Sequence, residues 1–95
     1  MPVVLKSVQP RLTAIIEPSD TVFVAFCPEL DLATEGDTPE AALGDLIDMA
    51  LDYSEQYVAD FDRFSQSANR AGHVPYVQAL RSNPTPAGAR ALFEG

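Results

Sequence analysis

Four acidic residues lie close together in the middle of the chain: Glu29, Asp31, Glu35 and Asp37. Clustered carboxylates on adjacent strands are the groups with which two-metal nucleases hold Mg²⁺. Glu29 and Asp31 would share one face of a regular strand, whereas Asp37 belongs to a turn. Because no basic phosphate clamp and no general base is evident nearby, we expect no catalysis, metal or cofactor. We interpret the four carboxylates as electrostatic contacts for a partner.

His73 and Cys27 are the other side chains with reactive chemistry. His73 is the only histidine, and no cysteine lies near it, which argues against a zinc site. Cys27 ends the most apolar segment of the chain, and no pattern of a cysteine nucleophile surrounds it. We expect a structural or surface role for His73 and a buried, inert thiol for Cys27.

Charge is distributed unevenly along the chain, whose net charge is −8. Residues 12–62 carry thirteen acidic residues and no Lys or Arg, whereas residues 63–95 carry four Arg and one Glu. An acidic segment without basic residues repels phosphate, so we do not expect it to bind nucleic acid. The charge favours a basic partner, such as a protein that itself binds RNA or DNA. A plain solvated surface is the alternative that charge alone leaves open.

The size of the chain predicts a single domain over residues 1–95, of which 46% are hydrophobic. We assign its core to residues 8–60 and treat residues 61–95 as an extension that packs on the core or on a second subunit. Neither a leader, nor a long apolar run, nor a lipidation signal is evident, which favours a soluble, cytoplasmic protein. The single cysteine agrees with a reducing compartment.

Strands are predicted in the part of the chain that leads up to and contains the four carboxylates. Alternating apolar residues predict a strand over residues 11–17, followed by a turn at 18–20. The unbroken apolar run Val22–Cys27 predicts a second strand that is buried on both faces. Residues 30–35 predict a third strand, antiparallel to the second. Residues 1–9 are apolar enough for an extended lead-in but do not predict a strand.

A long amphipathic helix follows the strands. Gly36 supplies a permissive turn, and Thr38-Pro39-Glu40 has the composition of a helix start. One stripe is apolar, formed by Leu43, Leu46, Ile47, Ala50, Tyr53 and Tyr57, and the opposite stripe is acidic, formed by Asp45, Asp48, Asp52 and Glu55. Because like charges at these spacings destabilise an isolated helix, this one must be held by its apolar face.

The pattern after the long helix is less regular. The helix is expected to continue for one or two turns past Asp60, and residues 65–72 are predicted to form a loop. Residues 74–80 form either a short helix begun by Pro75 or an edge strand, and periodicity does not separate the two. Thr85-Pro86 repeats the Thr-Pro helix start, which predicts a final turn or two of helix.

Two motifs in this chain, taken together, resemble a known family. The first motif is Phe23-Val24-Ala25-Phe26-Cys27-Pro28-Glu29-Leu30, and the second is Ala33-Thr34-x-Gly36-Asp37-Thr38-x-Glu40-x-Ala42. Their residues and separation resemble the HicB antitoxins, small proteins that inhibit HicA-type toxins. Those toxins are ribonucleases that act on messenger RNA. The resemblance covers about residues 12–57.

The resemblance implies an α+β fold, described as a partial ribonuclease-H-like fold without the catalytic carboxylates. In it, a small antiparallel sheet of three to four strands carries one long helix, with short helices after it. The resemblance also implies a non-enzymatic antitoxin, whose acidic sheet surface covers the basic RNA-binding face of a HicA-type toxin. We expect Glu29, Asp31, Glu35 and Asp37 to contact that toxin.

The sequence also bears on self-association and on DNA binding. A small sheet has two open edges, and pairing one with another copy would add stability, so we expect a homodimer or higher homo-oligomer. Full HicB antitoxins usually add a helix-turn-helix or ribbon-helix-helix segment; residues 63–95 are short and Pro-interrupted, so DNA binding is not expected. Two alternatives remain: an orphan copy that oligomerises and binds another protein or ligand, and a metal-dependent nuclease.

Overall fold

A computed structural model of the chain describes residues 10–94. The lead-in predicted over residues 1–9, and with it any fourth strand, lies outside the described residues. The elements are β1 (Ile15–Ser19), β2 (Val22–Cys27), β3 (Leu32–Gly36), α1 (Pro39–Ala59), α2 (Phe61–Gln66), a 3₁₀ turn (Ala71–His73), α3 (Val74–Ser82) and α4 (Pro86–Glu94). The predicted α+β fold is confirmed. None of the helices in residues 10–94 has both the length and the hydropathy to span a bilayer.

The three strands form an antiparallel sheet in the order β1-β2-β3. Ser19 pairs with Val22, so a two-residue turn joins β1 to β2, and Asp20 in that turn has a φ of 54°. The strand begins later and ends later than predicted, because Pro18 and Ser19 belong to β1 and not to the turn. An edge strand tolerates Pro18, which has no N–H to donate.

Residues 11–14 belong to no helix or strand and do not pair with β2. Leu12 is buried, and its N–H donates to the carbonyl of Leu92 in α4 at 3.0 Å. Leu12 and Ile16 turn toward the core while Ile15 is exposed, so the predicted alternation is confirmed even where the strand is not. Residues 11–14 are therefore tied to the C-terminal helix through Leu12 instead of extending the sheet.

One face of β2 is buried and the other is not. Ala25 and Cys27 are 0% exposed and belong to the core, whereas Val24 and Phe26 are half-buried. The prediction that β2 is buried on both faces is therefore wrong. The sheet packs on α1 through one face, and a continuous apolar run does not reveal whether a second layer exists.

Helix α1 begins where the sequence predicts. The Oγ1 of Thr38 accepts a hydrogen bond from the Ala41 N–H at 3.0 Å, and Pro39 occupies the first turn, where its missing N–H has no cost. The predicted apolar stripe faces the core: Leu46, Ala50 and Tyr57 are 0% exposed. The helix ends at Ala59, and α2 then continues as a separate, short helix.

The C-terminal helices pack on α1 within the same chain. Residues 74–80 lie in helix α3, which resolves the choice between helix and strand, and α4 is capped by Thr85, whose Oγ1 accepts from the Gly88 N–H at 3.0 Å. Leu80 and Leu92 join the core cluster of the sheet and α1. The loop predicted over 65–72 is shorter, because α2 extends to Gln66 and the 3₁₀ turn begins at Ala71.

Gly36 is required by a close approach rather than by a left-handed backbone. A Cβ at Gly36 would lie 2.6 Å from the Ala42 nitrogen and 2.9 Å from the Ala41 carbonyl carbon, and its φ does not lie in the left-handed region. The predicted role as a permissive turn is therefore replaced by a steric one. The absence of a side chain lets the end of β3 touch the first turn of α1.

We predict opposite effects for two Gly→Ala substitutions. Gly36→Ala should destabilise the protein by about 2 kcal/mol, because the new methyl group collides with backbone atoms that cannot turn away. Gly44→Ala, in the interior of α1 with nothing within 4 Å of its Cβ position, should stabilise it by about 0.5–1 kcal/mol. Urea unfolding of both variants beside the parent chain tests this, and a Gly36→Ala protein as stable as the parent would contradict it.

Candidate partner-binding site

The four predicted contact residues follow β3 from one end to the other. Glu29 and Asp31 lie in the turn before the strand, Glu35 lies within it, and Asp37 lies in the bend before α1. Glu29 and Asp31 were expected to share one face of a regular strand. They do not, because both lie in a turn where Asp31 has a φ of 54°. The carboxylates form a line and not a cluster. Within residues 10–94, no group of three or more His, Cys, Asp or Glu is placed to hold a metal ion.

Glu29 has a structural role that its sequence position does not suggest. Its Oε1 accepts from the Thr13 N–H at 2.8 Å, and its Oε2 accepts from the Thr13 hydroxyl at 2.7 Å. Burial by itself raises the pKa of Glu29, but the hydrogen bonds that it accepts, chiefly those from Thr13, together hold the pKa below its ordinary value. The carboxylate thus ties the turn before β3 to the chain leading into β1.

Glu35 lies on the side of the sheet away from α1. The hydroxyl of its neighbour Thr34 donates to the carbonyl of Ala42 in α1 at 2.8 Å, so Thr34 faces the helix and Glu35 faces away. We call that side the outer face. Alternation and register assign to it Ile15, Glu17, Ser19, Val22, Val24, Phe26, Ala33 and Glu35.

Asp31 lies at a pocket between the turn and the helical part of the chain. The pocket has a volume of roughly 190 Å³ and is lined by Leu30, Asp31, Leu32, Tyr53, Asn69, Arg70 and His73. The exposed Arg70 is a lining residue of opposite charge, and its guanidinium lies 4.9 Å from the centre of the Phe64 ring. Of the four predicted contacts, Asp31 is the one that the fold brings next to basic side chains.

His73 has the structural role that was predicted for it. Its Nδ1 lies 2.6 Å from the Tyr53 hydroxyl, and the two rings pack edge to face. Burial lowers the pKa of His73, and the nearby Arg70 lowers it further while Asp31 opposes them. The imidazole therefore fixes the 3₁₀ turn against α1.

The thiol of Cys27 is buried, as predicted. It is 0% exposed, and burial raises its pKa to about 11. A thiol that stays protonated at neutral pH is a poor nucleophile.

The acidic stripe of α1 is exposed on the surface. Asp45, Asp48, Asp52 and Glu55 are all exposed, and the contact found for Asp52 is a hydrogen bond from Gln56 at 3.2 Å. The first turn of α1 is different, because Glu40 forms an ion pair with Arg90 of α4. This stripe is a second acidic surface, separate from the line along β3.

Sequence reasoning missed two residues that the fold makes important. Glu17 lies on the outer face across β2 from Glu35, and Thr13 holds Glu29. The alternation of β1 shows which face Glu17 is on, but its place opposite Val24 and Glu35 requires the strand register, which the sequence does not give. The pairing of Thr13 with Glu29, sixteen residues apart, has no local signal in the sequence.

Comparisons with known proteins point to one class of protein. A family model named PHD-like, described as an antitoxin of toxin-antitoxin, RelE/RelB systems, matches residues 2–85. A crystal structure of an antitoxin part of a proposed toxin/antitoxin system from Syntrophomonas wolfei subsp. wolfei superposes with a TM-score of 0.79 at 20% identity. The match covers 87% of this chain and 60% of that one, and at this identity it shows a shared fold. None of the curated proteins matches.

We predict that the Thr13–Glu29 contact stabilises the protein only while Glu29 is ionised. A group with a lowered folded-state pKa contributes fully above its unfolded value, near 4.5, and loses that contribution as the pH falls through the folded value. Thr13→Val should therefore cost about 1 kcal/mol at neutral pH and progressively less in acid.

Urea unfolding at about pH 7 and about pH 3, beside the control Thr21→Val in the exposed β1–β2 turn, measures this difference. A cost for Thr13→Val that is equal at both pH values, or no larger than that of the control, would contradict the prediction.

Proposed function

Because the chain belongs to the PHD-like family of antitoxins of toxin-antitoxin systems, we propose that it binds and inhibits a small, basic, mRNA-cleaving toxin of the HicA type. Family membership carries the antitoxin role and implies a toxin partner. The HicA type follows from the two sequence motifs that resemble HicB antitoxins. The family description names RelE and RelB instead, so the toxin type is the finer part of this proposal.

The observation that carries the proposal is the line of exposed carboxylates along β3. Asp31, Glu35 and Asp37 are exposed, and residues 12–62 contain no Lys or Arg, although Asp31 shares its pocket with Arg70. Glu29 is the weakest member of the set, because its carboxylate is already engaged by Thr13. We therefore assign the electrostatic contacts to the other three.

The proposed mechanism is competition for a basic surface. A ribonuclease must hold the RNA backbone with cationic side chains, since phosphate contacts dominate its affinity for nucleic acid. Carboxylates that meet those cations displace RNA, and a long-range attraction between opposite charges speeds the encounter. Inhibition then needs no catalytic group in this chain.

The open edge of β3 adds a second means of contact. Within residues 10–94, β3 pairs with β2 on one side only, and unlike the other edge strand β1 it contains no proline. An edge strand with a complete set of backbone donors can pair with a strand of another chain. The homodimer expected from the sequence would use the same edge, so a toxin and a second copy would compete for it.

A reconstituted RNA-cleavage assay tests the proposal. The tagged chain is purified from its own cells, and a small basic protein that is recovered with it in fixed ratio is produced separately. We expect that protein to cleave messenger RNA and the chain to suppress cleavage at an equimolar ratio. Cleavage that persists when the chain is in excess would contradict the proposal.

We predict that the carboxylates of β3 matter more than an equal number on α1. The double variant Asp31→Asn/Asp37→Lys should bind the toxin about tenfold more weakly at low salt, because two attractive contacts are lost. Asn is chosen for position 31 because it tolerates the left-handed backbone there.

The matched control is Asp45→Lys/Asp48→Asn, which changes the net charge equally on the exposed stripe of α1. Calorimetry of both variants with the purified toxin gives the comparison. Equal losses of affinity would show that only total charge matters, and the assignment to β3 would then be wrong.

A further inference from the structure

The outer face of the sheet is arranged in rows that run across the three strands. The register gives one row of Ile15, Phe26 and Ala33, and a second row of Glu17, Val24 and Glu35. Neighbouring strands lie about 4.8 Å apart, and successive rows on one face lie about 6.8 Å apart. An entirely apolar row therefore runs beside a row in which two carboxylates flank a valine.

Both rows are accessible. Ile15 is 43% exposed, Phe26 and Val24 are half-buried, and Ala33 and Glu35 are exposed. The opposite face of the sheet is packed against α1, where Ala25 and Cys27 are fully buried. Apolar side chains placed side by side at a surface, next to charged ones, are typical of an interaction site.

We propose that the outer face docks an amphipathic helix of a basic partner, with two cationic residues on Glu17 and Glu35 and apolar side chains on the Ile15–Phe26–Ala33 row. This inference rests on the proposed function, because the toxin is the basic partner. It assigns to that toxin a contact surface beyond the line along β3.

The spacing of the two carboxylates suits a helix. Glu17 and Glu35 are two strand spacings apart, about 9.6 Å, and helical residues seven positions apart lie on one side at about 10.5 Å. A flat sheet face is also a surface on which helices commonly pack, as α1 does on the other side. The helix would cross the strands and place its basic side along the second row.

Charge favours a basic partner over a second copy of this chain. A second copy that presented its own outer face would add further carboxylates near Glu17 and Glu35, because the strands carry no Lys or Arg on that face. Like charges in apposition disfavour such a pair. A cationic helix satisfies both the carboxylates and the apolar row.

The test uses the full chain and a synthetic helical peptide of about 18 residues, with two lysines seven positions apart and leucines on the adjoining side. A second peptide carries glutamates in place of the lysines. Amide NMR shifts of the ¹⁵N-labelled chain report where the peptide binds. We expect shifts concentrated at the outer-face residues with the lysine peptide and none with the glutamate peptide.

Charge variants make the assignment specific. Glu17→Lys/Glu35→Lys should weaken lysine-peptide binding about tenfold, because two exposed ion pairs are lost. Asp45→Lys/Asp48→Lys, with the same change in net charge, should leave it within about twofold. An unchanged amide spectrum away from the substituted sites shows that each variant is folded.

Three results would overturn the inference: no binding of the lysine peptide, shifts centred on the acidic stripe of α1, or equal weakening by the two double variants. A dimer in sedimentation experiments that Ile15→Ser dissociates would also overturn it, because a second copy would then be the occupant. The RNA-cleavage assay separates this inference from the proposed function. A chain that neutralises the toxin but does not bind the peptide on its outer face retains the function and loses the inference.

Discussion

The close packing of α1 against one face of a three-stranded sheet is the constraint on which the rest of the structure depends. Small residues make this approach possible. A Cβ at position 36 would collide with the first turn of α1, so only Gly36 fits there, and Ala25 and Ala42 are fully buried between the layers. Thr34 fixes the contact by donating to the Ala42 carbonyl. The C-terminal helices then pack on α1, through Leu80 and Leu92, and not on the other side of the sheet.

This one-sided arrangement determines which surfaces are open to a partner. The outer face and the β3 edge remain accessible, and residues 12–62 contain no Lys or Arg. Arginines of the C-terminal part form ion pairs with only a few of the carboxylates in that segment: Arg90 pairs with Glu40, and Arg63 lies 3.6 Å from Asp60. Since the fold is held by apolar contacts, the remaining acidic residues are not needed for folding, and we propose that they bind the toxin.

Much of the fold could be predicted from local sequence. The limits of β2 and the Thr38 cap of α1 follow from an unbroken apolar run and from a Thr-Pro start, which are signals carried by adjacent residues. The prediction that β2 is buried on both faces was wrong, because an apolar run does not show whether a second layer covers the other face of the strand. The predicted start of β1 was also wrong, because the N–H of Leu12 donates to the carbonyl of Leu92, eighty residues away, instead of pairing with β2.

The candidate site was predictable in its charge but not in its geometry. Glu29 and Asp31 are near neighbours in sequence, yet one is held by Thr13 and the other lies at a pocket with His73 and Arg70. Their separation depends on a left-handed residue at the turn and on contacts from distant parts of the chain. Periodicity cannot report such contacts, and Glu17 was missed for the same reason.

The proposed inhibition depends on electrostatic attraction between this chain and a basic toxin, and the salt dependence of their affinity measures that attraction. Titration calorimetry of the toxin recovered with the chain, at salt concentrations from about 50 to about 500 mM, covers the range over which screening weakens exposed charge pairs. We expect a steady loss of affinity across that range. An affinity that stays flat would contradict this expectation, and would mean that apolar contacts alone hold the two proteins together.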